Sequence, residues 1–225
     1  MPPLLAQIIA ALSTRVVALS STVKAARAGV ANKLRTFFGG SMASGKATGA
    51  SSTTGTGEAI KYLCGSIEAQ TRQLADCAFL LGDYAIALKA YGYASSEFKN
   101  DKAWKHYALS QEMIALCTHA TDGAWKEMDA AAETAAATWL KLTKQPGDRA
   151  ARHATRAVLL QMDLLVHAPP KKREAATREV AQALVAQSTQ ESPLCAALLL
   201  EQAALCFRSS RMPMQRKYAF HLILA

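Results

Sequence analysis

The sequence has 225 residues, of which 51% are apolar and 19% charged, and its formal net charge is +9 at pH 7. This length and composition exclude a wholly disordered chain and suit one sizeable core or a short array of repeats. Aromatic residues make up only 7% of the chain, alanine is abundant, and alternating Val, Ile and Thr is almost absent. We therefore predict an all-α fold.

The positive charge is concentrated at the amino-terminal end. The first 57 residues hold six Lys or Arg residues and no acid, Glu58 being the first. A charge placed in this way predicts a local anionic partner, and it argues against a nucleic-acid groove spread over the whole surface. We expect neither a nucleic acid nor a small-molecule substrate as a partner.

Residues 1–38 are predicted to contain a long basic amphipathic helix, beginning at Leu4. Apolar residues recur there at steps of three and four, which places them on one stripe with basic residues at its borders. Such a helix can lie in an anionic membrane surface. We find no uninterrupted apolar run of about twenty residues, so we expect no bilayer span. The predicted membrane-binding residues are Arg15, Val16, Leu19, Val23, Lys24, Arg27, Val30, Lys33, Leu34, Arg35, Phe37 and Phe38.

Two other interpretations of this helix remain open at this point. Its apolar stripe could pack on the rest of the protein, as amphipathic helices commonly do. A Ser-rich, Arg-containing and acid-free beginning also fits an organelle transit peptide.

Residues 39–57 consist almost entirely of Gly, Ser, Thr and Ala, which predicts a flexible linker. The segment contains a partial phosphate-binding motif, with Gly40 followed by Gly45 and Lys46. A P-loop needs Ser or Thr directly after the lysine and a buried strand before the loop. Ala47 follows the lysine here, and the preceding segment is predicted to be helical. We therefore predict no nucleotide cofactor.

The cysteines and histidines form no recognisable metal or disulfide pattern. Five cysteines are present, without a C-x-x-C pair, as is typical of reduced thiols in a cytosolic protein. An enzyme could use Cys117 with His119 or His153, but residues two apart on a helix point to different faces, so Cys117 and His119 cannot pair locally. We assign no catalytic residue, no metal site and no cofactor, and we predict a protein that is not an enzyme.

Residues 58–225 are predicted to form an α-solenoid of tetratricopeptide-like helical hairpins. Small residues at helical spacing allow two helices to approach closely, and large ones fill the gaps between repeats. The break between the first two helices is expected at Gly82. The residues predicted to pack within the repeats are Leu74, Ala75, Ala78, Phe79, Gly82, Tyr84, Ala87, Tyr91, Ala94, Trp104 and Tyr107.

Turn and capping signals divide the rest of this region into further helices, about eight in all, in antiparallel pairs. The predicted starts are Asn100-Asp101, Thr121-Asp122-Gly123, Pro146-Gly147-Asp148, Pro169-Pro170, Ser192-Pro193 and Pro213. A solenoid more often binds proteins than catalyses a reaction. The sequence ends at Ala225 inside an apolar periodic segment without a cap, so we expect the array to be truncated there.

Several stretches together resemble a known family. These are "GSIEAQTRQLADCAFLLGDYAIALKAYGYASSEFKNDKAWKHYALSQEMIAL" at 65–116, "SPLCAALLLEQAALCF" at 192–207, "RKYAFHLILA" at 216–225 and the basic "ARAGVANKLRTFF" at 26–38. In this order they resemble the subunit-eight family of the TRAPP tethering complex, the large subunit of its secretory and autophagy form. The linker and the extreme amino terminus depart from the family pattern, and large parts of that pattern are missing on both sides.

The resemblance implies an α-solenoid scaffold that joins other TRAPP subunits and acts in ER-to-Golgi transport and autophagy. It implies an indirect Rab-family GTPase partner, acted on by a core of smaller subunits, and a cytoplasmic location, peripheral on Golgi, ER–Golgi intermediate or autophagosomal membranes. It disfavours a transit peptide and favours a membrane anchor at residues 1–38, with packing on the array as the rival. The alternative is a generic tetratricopeptide-like scaffold or co-chaperone unrelated to trafficking.

Overall fold

The computed structural model of this protein describes the backbone of residues 3–37, 62–144, 148–208 and 212–224, and it describes side chains of the first range from Leu4 to Arg27. These residues are mostly helical and include no strand, which confirms the predicted all-α fold. They divide into two compact units, Met1–Ala103 and Trp104–Ala225. The predicted linker at 39–57 lies outside the described residues, and the division at 38 and 57 stays a prediction.

Each unit is a run of helices in which every helix packs on the next one. The first unit contains α1 (Pro3–Phe37), α2 (Ile67–Leu80) and α3 (Tyr84–Asn100). The second contains α4 (Trp104–Ala120), α5 (Trp125–Leu142), α6 (Arg149–Leu164), α7 (Pro170–Ser188), α8 (Pro193–Arg208) and α9 (Pro213–Leu224), with a 3₁₀ turn at Leu165–His167. Neighbouring helices joined by short turns form hairpins, so the predicted α-solenoid of helical hairpins is confirmed.

Three successive helices end in the same turn. After α2, the Gly82 amide donates to the Phe79 carbonyl at 3.0 Å and the Asp83 amide to the Ala78 carbonyl at 2.9 Å, which is the Schellman pattern. The same pair of bonds closes α3 and α4. The left-handed residues in these turns are Gly82, Lys102 and Asp122, with φ of 78°, 58° and 51°. Because the turns recur about every 20 residues, a two-helix unit takes about 40 residues, longer than the 34 of a tetratricopeptide repeat.

The predicted helix start at Asn100-Asp101 was wrong. Asn100 is the last residue of α3 and Asp101 is its C-cap, so α4 begins only at Trp104. The Asp101 carboxylate instead accepts a hydrogen bond from the Tyr62 hydroxyl at 2.9 Å. This helix end could not be predicted from the sequence, because Lys102 takes the left-handed conformation that glycine usually supplies there.

The other predicted signals that the structure describes each precede a helix, although Thr121-Asp122-Gly123 forms the turn that closes α4 and α5 begins only at Trp125. Asp148 caps α6, its carboxylate accepting from the Ala151 amide at 2.7 Å. Pro170, Pro193 and Pro213 are the first residues of their helices, where the missing proline N–H has no helical partner to lose.

Among the described residues, alanines are half of the buried apolar side chains in the first unit and most of those in the second. Small residues let helices approach closely, as the repeat pattern predicted. Of the residues predicted to pack within the repeats, six are buried: Leu74, Ala75, Ala78, Ala87, Tyr91 and Ala94. Three are half-buried, Phe79, Tyr84 and Tyr107, and Gly82 lies exposed in its turn.

Trp104 departs from the predicted inner face, because 42% of it is exposed. It is the first residue of α4, and its ring meets Tyr107 edge-on with centroids 6.1 Å apart. The apolar character of the tryptophan suggested burial, but a helix-end position leaves much of its surface open.

A buried polar cluster links three helices of the second unit. The Trp139 indole Nε1 in α5 donates to Oε1 of Glu112 in α4 at 2.7 Å. The Arg156 guanidinium in α6 donates to the other carboxylate oxygen of Glu112, also at 2.7 Å. The Glu112 side chain is 8% exposed, so its charge depends on these donors in place of water.

We expect Trp139→Phe to destabilise the second unit by about 1–3 kcal/mol, because the buried Glu112 carboxylate would lose the indole donor and the smaller ring would leave part of the site unfilled. Thermal or urea unfolding followed by circular dichroism measures this change.

Trp104→Phe is the matched control, since the same replacement at an exposed site should change stability by less than about 0.5 kcal/mol. Equal losses for the two variants would show that the hydrogen bond to Glu112 contributes nothing specific.

Candidate functional site

The middle of α1 packs on α2. Leu19 and Val23 are each only 5% exposed, and Leu12, Val16 and Ala26 are half-buried. These five residues follow one another at steps of three and four, so they form one stripe of the helix. This part of α1 therefore fits the alternative interpretation, in which the apolar stripe packs on the rest of the protein. Leu19 and Val23, predicted to enter a membrane, are covered while α1 lies in this position.

Two of the predicted headgroup-binding cations of α1 contact side chains of α2 and α3. The Arg15 guanidinium donates from Nη2 to Oε1 of Gln73 in α2 at 2.9 Å. The Arg27 guanidinium carbon lies 3.8 Å from the ring centroid of Tyr93 in α3, a cation–π contact. Arg15 and Lys24 are exposed, and Arg27 is half-buried. These contacts fix the rotation of α1 about its axis.

The amino-terminal end of α1 carries an exposed apolar surface. α1 has 35 residues and α2 has 14, so at about 1.5 Å per residue α1 is longer by roughly 30 Å. The apolar stripe therefore continues beyond the residues that meet α2. Leu4, Leu5, Ile8 and Ile9 are exposed by 37–67%. We call these four residues the apolar end of α1.

The stretch Leu4–Arg27 is long and apolar enough, by length and composition, to cross a membrane. The stretch meets this criterion without an uninterrupted apolar run of about twenty residues, so the expectation that it does not span a bilayer stays a prediction. Arg15, Lys24 and Arg27 are the charged residues of this stretch, and almost none of it is buried. One such helix near an amino terminus does not establish a membrane span, because core helices and signal sequences meet the same criterion.

The remaining predicted membrane-binding residues cannot be placed by their side chains. Val30, Lys33, Leu34, Arg35, Phe37 and Phe38 lie outside the described side chains. Their part in membrane binding stays a prediction.

The cysteine considered as a nucleophile lies in an unfavourable environment. Cys117 is 0% exposed, and burial raises the pKa of its thiol to about 11. A nucleophilic cysteine needs the thiolate form near neutral pH. Its candidate partners make ring contacts of their own: His119 lies 4.2 Å from His167, and His153 lies 4.5 Å from Trp139, measured between ring centroids. Within the described residues, no group of three or more His, Cys, Asp or Glu is placed to hold a metal ion.

An apolar cleft lies in the second unit, and no sequence motif predicted it. The cleft has a volume of about 380 Å³ and is lined by Gln182, Val185, Phe207, Met214 and Tyr218, from α7, α8 and α9. The apolar periodicity of the last two helices hinted at packing, but the sequence does not show where three helices leave a gap.

The chain is similar in sequence to a protein family and to known proteins. A family model described as "ER-Golgi trafficking TRAPP I complex 85 kDa subunit" matches residues 4–169. The chain is similar to human "Trafficking protein particle complex subunit 8", with 38% identity over 159 residues, 70% of this chain and 10% of the human protein. It is also similar to "Transport protein particle subunit trs85-2" of Schizosaccharomyces pombe, with 44% identity over 54 residues, 24% of this chain and 9% of the yeast protein.

The matches therefore span about a tenth of each relative's length. The family match begins at residue 4, so the expectation that the extreme amino terminus departs from the family was wrong. The resemblance at 192–225 lies beyond the matched residues and stays a prediction.

We expect iodoacetamide at neutral pH to label the exposed Cys64 and Cys195 in the folded protein and to leave Cys117 unmodified. Because the thiolate is the reacting form, its raised pKa should delay reaction of Cys117 until the pH approaches about 11 or the protein unfolds. Mass spectrometry of the labelled peptides measures this order, and labelling in urea should modify all five cysteines. Fast, selective labelling of Cys117 in the folded chain would restore the enzyme hypothesis.

Proposed function

The chain belongs to the family of the ER–Golgi trafficking TRAPP I complex 85 kDa subunit, and from this membership we propose that it is a non-catalytic scaffold subunit of a TRAPP-type vesicle tethering complex. The family match over residues 4–169 is the observation that carries the proposal. Stacked helical hairpins support it, because such arrays offer extended surfaces for other proteins. The environment of Cys117 adds support for a non-catalytic role.

The proposed partners are other TRAPP subunits and, through them, a Rab-family GTPase. In this proposal the smaller subunits promote nucleotide exchange, and this chain directs them to membranes in ER-to-Golgi transport and autophagy. The proposed location is cytoplasmic and peripheral, on Golgi, ER–Golgi intermediate or autophagosomal membranes. A generic tetratricopeptide-like scaffold or co-chaperone is the alternative that an experiment has to separate from this role.

The proposed membrane contact is the apolar end of α1. The apolar stripe packs on α2 around Leu19 and Val23, while Leu5 and Ile9 lie exposed nearer the amino-terminal end of the same helix. An exposed apolar segment followed by cations at Arg15 and Lys24 has the chemistry of an interfacial helix: apolar side chains enter the boundary region and cations stay near anionic headgroups. Membrane contact through this end does not require α1 to leave α2.

We expect the tagged full-length protein, affinity-purified from cells, to bring down small TRAPP subunits in stoichiometric amounts, since a scaffold subunit forms a lasting interface with its complex. Mass spectrometry of the co-purifying proteins measures this. Chaperones or a single unrelated client in their place would favour the alternative and leave only the helical-repeat fold standing.

We expect the purified 225-residue chain to float with vesicles that contain phosphatidylserine and to float less as salt screens the attraction. Leu5→Asp/Ile9→Asp should lower the bound fraction at least about tenfold, because each buried apolar side chain contributes about 1.5–3 kcal/mol and the new charges are repelled by the lipid.

The matched control is Leu194→Asp/Leu198→Asp, which places the same changes at exposed leucines of α8. This variant should float like the parent chain. Equal flotation of the parent and the α1 variant, or equal loss in both variants, would rule out the apolar end of α1 as the membrane contact.

A further inference from the structure

One side of α6 carries a row of arginines. Arg149, Arg152 and Arg156 follow at steps of three and four, so they lie along one side of the helix over about 10 Å. All three are exposed, and so is Lys105 in the first turn of α4. We call these four residues the α6 basic row.

The four cations act together at His153, which lies in α6 between the arginines. The pKa of His153 lies below its usual value, first because of burial and then because of the neighbouring charges. These charges are Arg156, Arg149, Arg152 and Lys105. The charges that lower this pKa are all positive, as expected for a histidine that lies among the arginines of the row. Behind the row, the His153 ring stacks on Trp139 with an interplanar angle of 27°.

Three acidic groups lie beside α6, and each accepts hydrogen bonds: Asp148, Glu112 and Glu191, whose carboxylate accepts from the Thr155 hydroxyl of α6. Both oxygens of the Asp148 carboxylate accept from backbone amides, those of Ala151 at 2.7 Å and Lys144 at 3.1 Å. Glu112 accepts from Trp139 and Arg156 as described above. In the part of the chain that the structure describes, Arg149, Arg152 and Lys105 form no ion pair. Three charges of the row are therefore open to a partner.

The position of the row is unfavourable for the helix itself. Arg149 is the first residue of α6 and Arg152 follows within the first turn, where no acid is present. The positive end of the helix dipole lies there and disfavours cations. Helix stability therefore gives no reason for arginine at these positions, whereas binding of an anion does.

We propose that the α6 basic row is a docking surface for an acidic segment of a partner polypeptide. Guanidinium groups bind carboxylates through paired, directional hydrogen bonds, and a row of them fits acids spaced along one segment. A membrane fits this surface less well, because stable surface binding combines charge with apolar insertion. No residue of α6 is among the exposed large apolar side chains, unlike the apolar end of α1.

The inference goes beyond the proposed function. It requires neither membrane binding by α1 nor any particular complex, since all four residues of the row lie in the second unit. A failure of this proposal would leave the TRAPP assignment untouched, and failure of that assignment would leave the row to be tested on its own.

The test is fluorescence anisotropy with a labelled peptide of about twelve residues that carries glutamates at helical spacing, added to the full chain. A peptide with glutamine in place of glutamate is the neutral probe. Arg149→Glu/Arg152→Glu reverses two of the four charges of the row, and these changes put acids where the helix dipole favours them, so the fold should tolerate them. Arg149→Gln/Arg152→Gln is the second variant if the first does not fold.

Lys171→Glu/Arg178→Glu on α7 is the control, because it changes the net charge equally at two other exposed cations of the same unit. We expect the acidic peptide to bind the parent chain, with a dissociation constant that rises at least about tenfold in the α6 variant and less than about twofold in the control.

Absence of binding to the parent chain would overturn the proposal, as would equal weakening by the two charge-reversed variants or equal binding of the neutral peptide. Binding of phosphatidylserine vesicles through Arg149 and Arg152 without binding of the peptide would assign the row to a membrane and overturn it as well.

Discussion

Helices in this chain meet through alanine, and the rest of the structure depends on that close contact. Most buried apolar side chains are alanines, from Ala75 in α2 to Ala219 in α9. Alanine allows helix axes to approach but buries little apolar area, so the interfaces rely on many short contacts and a few large side chains. Tyr91, Phe98 and Trp139 are the largest of these, each 2% exposed or less.

Closely packed helix interfaces leave little room for polar groups, so a polar side chain is either fully hydrogen-bonded inside or placed at the rim. Glu112 is held inside because an indole and a guanidinium together replace its water. Long cationic side chains remain at the rims, where their charged ends reach solvent while their stems cover apolar surface. The packing of small residues thus explains both the fixed helix positions and the cations displayed outside them.

The sequence predicted most helix ends because their signals are local. Gly82, Pro170, Pro193 and Pro213 mark turns by their own backbone chemistry. The end of α3 was missed because a lysine adopts the left-handed conformation there. The division of α1 into a docked part and an exposed end depends on the shorter length of α2, and pairs such as Arg27 with Tyr93 join residues far apart in the chain. Neither follows from periodicity.

The two basic features of the chain present different chemistry to an anion. In α1 the cations accompany an exposed apolar segment, and adsorption to a lipid surface of this kind needs no fixed partner geometry because headgroups move. In α6 the cations are arginines, Glu112 and Trp139 hold the helix, and α6 itself carries no exposed large apolar side chain. A guanidinium presents its donors in one plane and is therefore selective for the direction of its acceptor. The proposed role, which combines contact with a fluid membrane and binding of an acidic partner, requires both kinds of surface because neither chemistry can substitute for the other.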